Sequence, residues 1–408
     1  MIRDQEHRPA LSFWAPMILL ATAMCLGLLV LSARLPPDLR EGSNDLSLYR
    51  VAGESILRGE VPYRDFLIEY PPGSLHAFVT PAFASASRDG YIDLFSLEMA
   101  LLLAVTLLLT ALSARKLCGS YAWMLPALTF VVAALFLYPV AVTRYDAVVA
   151  LTLGLATFFA ALGGRFLVLA YVSLGLGAAA KMVPALATVP LALARRGAIR
   201  GYAVFLGIVA LFFVPFALLS GRGFLESFAY QAERGLQVES LAASVLIPLR
   251  SVSGVVFEHG AFEVRGGGAV LATSLSPLLT FVLVGFAGVV MYLEYRRLGR
   301  LGTEAFSRHA AALILAFMLG SKVLSPQYVI WLLPLVPLST RGVAGAFVCA
   351  FFLAACFTTT LIFPIHYGDL LSFRYPGPEL LLARNLLLFA LWVAMLALSA
   401  AAKEKASS

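Results

Sequence analysis

Charge is what this chain has least of. Charged residues make up 13% of its 408 positions, against roughly 25% in an ordinary soluble domain. That scarcity excludes a conventional solvated surface. The net charge of +7 is not gathered into any basic stripe, which excludes a nucleic-acid-binding face. Cysteine is sparse too. Cys25, Cys118, Cys349 and Cys356 include no pair at metal or redox spacing, so no disulfide framework is expected. The five histidines, His7, His76, His259, His309 and His366, form no metal-ligand pair, and neither a metal nor another cofactor is expected. No internal repeat is visible, which weakens an inverted-repeat transporter.

What the chain has in abundance is apolar length. Hydrophobic residues are 61% of it, in recurring runs near the ~20 residues needed to cross a bilayer. Backbone polar groups in lipid must be satisfied within the segment. The runs do not alternate as barrel strands would. The expected fold is therefore all-α, a polytopic transmembrane bundle. Its candidate crossings are 13–33, 92–113, 121–141, 147–163, 166–180, 182–194, 201–219, 269–291, 306–322, 326–340, 343–363 and 379–400. The fifth and sixth are short for full spans and read as a broken or tilted pair. The first run follows a polar N-terminus with no small-residue cleavage pattern. It is read as a retained helix, with a signal peptide as the alternative.

Arg115, Lys116, Arg195, Arg196, Arg200, Arg296, Arg297, Arg300, Arg341, Lys403 and Lys405 all fall in alternate loops or tails on one side. The positive-inside rule makes that side cytoplasmic and places both termini there, in a plasma (inner) membrane. One domain is expected over 1–400, with a short cytoplasmic tail at 401–408. The long loops, 34–91, 220–268 and 364–378, then share the other face, where function is expected.

The first of these loops is the most informative. Leu46, Tyr49, Val51, Ala52, Ile56 and Leu57 suit an amphipathic surface helix over 45–58. Spacing alone reads Asp45 as its N-cap, and Gly59 as its stop. Glu69-Tyr70-Pro71-Pro72 reads as a rigid turn leading back to the bilayer. Arg144, Asp146, Lys181 and Lys322 fall at predicted non-cytoplasmic helix ends. Taken singly, each is as well explained by snorkelling or by structural pairing, for example Arg144 with Asp146. Their shared side favours a phosphate- or sugar-binding rim. The segment 230–240 adds Arg234 and Glu239, and Pro364-Ile365-His366-Tyr367-Gly368-Asp369 adds His366. A simple loop histidine is the favoured reading of His366, with assistance to Asp45 or to the phosphate as the alternative. Trp331 and the tyrosines at helix ends read as interface anchors.

The pattern Asp45…Tyr49…Gly59…Pro62-Tyr63…Glu69-Tyr70-Pro71-Pro72 resembles the GT-C superfamily of membrane glycosyltransferases. It is most similar to the bacterial polyprenyl-phosphate-mannose-dependent mannosyltransferases of phosphatidylinositol mannosides. Arg144-Tyr145-Asp146, Lys181-Met182-Val183-Pro184 and Ser325-Pro326-Gln327-Tyr328-Val329-Ile330-Trp331-Leu332-Leu333-Pro334 extend the resemblance over about 44–335. It implies a hexosyltransferase with a polyprenyl-phosphate sugar donor, mannose being the family's sugar, and a lipid or glycan acceptor. It makes Asp45 the general base of an inverting displacement. Tyr49, Glu69, Tyr70, Gln327 and Tyr328 join the charged residues above as candidate substrate-binding groups. The absence of an Asp-x-Asp metal motif fits a lipid-phosphate donor. The runner-up readings are a transporter or flippase of lipid-linked glycans and an O-antigen-type polymerase. A transporter would gather charge at the bilayer midplane between repeats.

Overall fold

The computed structural model describes residues 8–36, 44–119, 123–194 and 198–401. Helix α1 (Arg8–Ala33) is followed by α2 (Asn44–Leu57), α3 (Leu75–Ala84) and the long α4 (Arg88–Cys118). Next come α5 (Met124–Phe136), α6 (Tyr138–Ala141), α7 (Asp146–Leu162), α8 (Leu167–Ala180) and α9 (Thr188–Ala194). The segment after α10 (Ala198–Ser220) folds into α11 (Arg222–Glu233), α12 (Leu241–Leu246) and a hairpin of β1 (Gly254–Glu258) and β2 (Ala261–Arg265). The chain closes with α13 (Gly267–Leu298), α14 (Thr303–Gly320), α15 (Gly342–Thr360), α16 (Tyr367–Leu371) and α17 (Gly377–Ala401).

Among the described residues, six helices are long and apolar enough to cross a membrane: α1, α4, α10, α13, α15 with its extension to Ile365, and α17. Helical segments also occupy the other candidate runs, but they are shorter, such as Asp146–Leu162 and Gly164–Ala180. The run at 182–194 is broken, with a 3-10 turn over Val183–Ala187 leading into α9. The run at 326–340 differs most from expectation. It forms two 3-10 turns, Pro326–Leu332 and Val336–Leu338, because Pro326, Pro334 and Pro337 have no N–H to donate. Val329 to Leu333 are all fully buried, and irregular backbone at membrane depth is tolerated where protein covers it.

The all-round apolar character of these helices suits either a protein core or lipid, and both are used. Helix α14 is almost wholly buried, packed against α13, α17 and α9. Gly320 lies so close to α13 that a Cβ there would sit 2.4 Å from the Thr280 Cα, the small-residue contact favoured between membrane helices. Helices α10 and α13 instead leave most of their apolar side chains exposed, as lipid-facing helices do. Near the C-terminal end of α13, Glu294 meets Arg308 (2.6 Å) and His309 (2.9 Å) of α14. Arg308 Nε also donates to Ser399 Oγ of α17 (2.8 Å).

Among the described residues, the long second loop carries the two strands of the fold. Gly254 pairs with Arg265 and Glu258 with Ala261 in antiparallel register. His259 and Gly260 make the turn at φ 49° and 69°, the left-handed pair that a tight hairpin needs.

Candidate active site

In the first loop, α2 forms where the amphipathic pattern predicts it. Gly59, at φ 89°, ends that reach of chain, a conformation glycine adopts without strain. Helix α2 buries Leu46, Tyr49 and Ala52 against α3. The two approach so closely at Gly53 that a Cβ would lie 2.2 Å from the Phe78 carbonyl oxygen. That packing fixes Asp45 in the first turn of α2. Its carboxylate turns to tertiary partners. Arg144 Nε is 2.7 Å from Oδ2, and the Tyr70 hydroxyl donates to Oδ1 at 3.3 Å. Tyr70 is held in turn by its main chain, whose carbonyl accepts from the Tyr63 hydroxyl at 2.6 Å.

Asp45 opens onto a cavity of about 690 Å³. Glu69, Tyr70, Arg144, Lys181, Arg234, Glu239, Gln327 and Tyr328 share its lining. Residues from the first loop, the start of α7, the end of α8, the second loop and the 325–331 turn thus converge on one space.

Asp146 and Tyr49 stand directly behind that wall. Asp146 is 1% exposed, and its Oδ1 accepts from Lys181 Nζ (2.7 Å) and Trp331 Nε1 (2.6 Å). The Lys181 ammonium also lies 4.8–5.0 Å from the ring centroids of Tyr145, Tyr328 and Trp331, a cation–π enclosure. Tyr49 packs its ring against Tyr70, Phe78 and Tyr145.

Two sequence expectations are corrected here. Arg144 pairs with Asp45 rather than with Asp146, because Lys181 takes Asp146. Trp331 is fully buried and bonded to Asp146, so it is not an interface anchor. Two further candidates stand outside the lining. Lys322 donates to the main-chain oxygens of Ala232 (2.7 Å) and Arg234 (2.5 Å), holding the second loop. His366 pairs with Asp369 at 2.8 Å. Asp65 is exposed and pairs with Arg64 at 2.8 Å. Glu69 stays at the cavity, accepting from Gln231 Nε2 at 2.8 Å. Burial raises its pKa above the ordinary carboxylate value, opposed by Arg234.

Sequence reasoning missed Gln237, Phe262, Phe363 and Tyr367, all of which line the cavity. The alternation around the His259-Gly260 turn was a usable signal for the hairpin that carries Phe262. Among the described residues, one grouping has metal-ligand proximity: Glu258, His259 and Glu263, with ligand atoms within 4.8 Å of one another. Glu263 already accepts from the Gly235 N–H at 2.8 Å and meets His259 Nδ1 at 3.1 Å.

No curated protein matches the chain. Two solved structures share its fold, both ArnT from Cupriavidus metallidurans. The apo form aligns with a TM-score of 0.50 at 13% identity, over 94% of this chain and 77% of that one. The form bound to undecaprenyl phosphate aligns with a TM-score of 0.52 at 14% identity, over 95% and 78%. A model of glycosyltransferase family 87 matches residues 66–326, more than half of the sequence. With its membrane helices and its polar cavity, the chain belongs to glycosyltransferase family 87 and is a membrane glycosyltransferase of the GT-C superfamily.

Proposed function

We propose that this enzyme moves a hexose, mannose by the family resemblance, from a polyprenyl monophosphate to a hydroxyl of a lipid or glycan acceptor at the extracytoplasmic face. One observation carries the reading: a carboxylate, Asp45, shares a single cavity with Arg144 and Lys181. In the reaction, the acceptor O–H gives its proton to Asp45 while its oxygen bonds to the anomeric carbon. The bond from that carbon to the phosphate oxygen breaks, and the electron pair leaves with the polyprenyl phosphate. One displacement with one base inverts the anomeric centre. The leaving phosphate gains negative charge, which positioned cations stabilise. Lys181 suits this role because Asp146 and three rings fix its ammonium at the cavity wall, and Arg144 orients the base. Arg234 extends the same electropositive rim, while Lys322 acts on the loop that carries it.

The bound lipid of one ArnT structure, undecaprenyl phosphate, supports a carrier of this class. The test is a transfer assay on purified protein in lipid nanodiscs, with undecaprenyl-phosphate mannose labelled in the sugar and membrane lipids from the source as acceptors. Label should appear in a lipid or glycan product with inverted configuration. Failure with mannosyl, glucosyl and galactosyl carriers alike would overturn the donor assignment.

A further inference from the structure

The cavity lining has a second sector that the displacement chemistry does not use. It comes from the 237–239 segment, strand β2 and the turn before α16. Glu239, Gln237, Tyr367, Phe262 and Phe363 all line it. Glu239 is 1% exposed. Its Oε2 accepts from Gln237 Nε2 at 2.5 Å, and the Tyr367 side chain lies beside the same carboxyl group. Behind it, Arg384 of α17 donates to the Glu239 main-chain oxygen (2.7 Å), and Asn385 donates to the Ser240 oxygen (3.2 Å).

One reading of this network is that it only ties the second loop to α17. The bonds argue for more than that. The tie is made by Arg384 and Asn385 to main-chain oxygens; the Glu239 carboxyl adds a charge opposite Arg384 but makes none of these bonds. A buried carboxyl group is costly, and it persists where it is fully engaged or functional. A carboxylate has about four lone-pair sites, and Gln237 occupies one. Beside it, Tyr367 meets Phe262 edge-on (5.8 Å) and Phe363 edge-on (5.1 Å). These rings are only half buried.

A partly exposed aromatic corner next to a carboxyl and an amide is suited to a ring with one apolar C–H face and several hydroxyls at its edge. It is unsuited to phosphate, which the carboxylate would repel. Resting on the function proposed above, we infer that Glu239, with Gln237 and the Phe262, Phe363 and Tyr367 rings, forms a pyranose-recognition subsite. The sugar arrives either on the carrier or on the acceptor. Burial pushes the Glu239 acid up to about 7, so near neutrality the group both donates to and accepts from hydroxyls. Charge is thereby divided within one cavity: cations and Asp45 for the reacting bond, a hydrogen-bonding corner for a sugar ring.

The test is binding to purified protein in nanodiscs with four probes: bare undecaprenyl phosphate, undecaprenyl-phosphate mannose, octyl mannoside and octyl glucoside. In the parent, a sugar-bearing probe should bind more tightly than its counterpart, the mannosyl carrier against the bare carrier or one octyl glycoside against the other. Glu239→Ala should weaken that probe by about tenfold or more, the effect of one lost charged hydrogen bond, and leave the bare carrier within about twofold. Loss confined to the carrier assigns the subsite to the donor sugar, and loss confined to an octyl glycoside assigns it to the acceptor. Bare-carrier affinity also reports folding. If Glu239→Ala does not fold, Phe262→Ala, which touches no ion pair, carries the same expectation. Equal weakening of sugared and bare probes, no weakening, or no discrimination by the parent would each overturn the subsite. If the parent binds neither carrier but distinguishes the octyl glycosides, the donor assignment falls and the subsite stands.

Discussion

Asp146 and Lys181, 35 residues apart in sequence, meet at 2.7 Å behind the cavity wall. The carboxylate is almost fully buried and is not part of the cavity lining, so under the proposed function it acts only through the ammonium that it fixes. Lys181→Ala should raise the apparent donor KM by about tenfold or more. Asp146→Asn should raise it in the same direction, with kcat less affected. The double variant should be no worse than Lys181→Ala alone, since both changes remove one device. Additive losses in donor KM would show that Asp146 acts elsewhere.

Asp45→Asn keeps the shape and hydrogen-bonding reach of the side chain and removes its basicity. Turnover should fall about 100- to 10,000-fold, with protein yield and carrier binding near parental. Asp65→Asn is the matched control. That carboxylate lies outside the cavity lining and is engaged by Arg64 and the Val61 N–H, so activity should be unchanged. Glu69→Gln separates the one other carboxylate of the first loop that lines the cavity. More than about a tenth of parental turnover in Asp45→Asn would move the base to Glu69.

The glycines of the first loop offer a stability test. Gly53→Ala would place a Cβ 2.2 Å from the Phe78 carbonyl oxygen, and Gly73→Ala would place one 2.5 Å from the Ala179 carbonyl carbon. Overpacking of this kind costs about 1–3 kcal/mol, so both variants should show a lowered Tm in detergent and reduced turnover. Gly207→Ala on α10 meets nothing within 4 Å. It should leave activity intact and hold or raise Tm, because alanine favours helix over glycine by about 0.5–1 kcal/mol.

Glu239 makes stability depend on pH. Burial is the main cause of its raised value, from 4.5 to about 7, against the opposing pull of Arg384, the Tyr367 hydroxyl, Arg144 and Gln237. The folded state therefore holds this proton more tightly than the unfolded state. Its contribution is fully present below pH 4.5 and is lost as pH rises to about 7. Parent and Glu239→Gln should diverge over that window, the parent losing Tm relative to the variant as pH rises. Parallel Tm curves would contradict the assignment.

The orientation expected from the loop charges is tested by labelling. In a background with the four native cysteines replaced by serine, Arg222→Cys should react with an impermeant thiol reagent outside intact cells. Arg300→Cys should react only after permeabilisation. Labelling of position 300 in intact cells would invert the topology.

The parts of the molecule legible in the sequence are those that local pattern controls. Apolar length gave the long helices, and the spacing from Leu46 to Leu57 gave α2, because each reports a segment's own backbone and one face. The first-loop motif led to Asp45, which does open onto the cavity. Pairing was not legible. Asp146 bonds Trp331 across 185 residues, and no periodicity encodes that distance. Arg144 and Asp146 looked like partners because they are neighbours in sequence, yet the start of α7 sends them to different ones. Lys322 has the charge of a phosphate ligand, but its reach to two carbonyls depends on where the second loop folds. Arg195, Arg196, Lys403 and Lys405, used for orientation, lie outside the described residues.

The anchoring of Glu239 and Ser240 by Arg384 and Asn385 bears on biogenesis. The cavity takes side chains from Asp45 to Tyr367, and one of its walls is clamped by α17, the last of the described helices. During synthesis, the residues around Asp45 and Lys181 reach the membrane long before α17 leaves the ribosome. Until α17 inserts and docks, the wall around Glu239 has no backing. A nascent or truncated chain that ends before residue 384 would thus carry Asp45, Arg144 and Lys181 without a closed cavity.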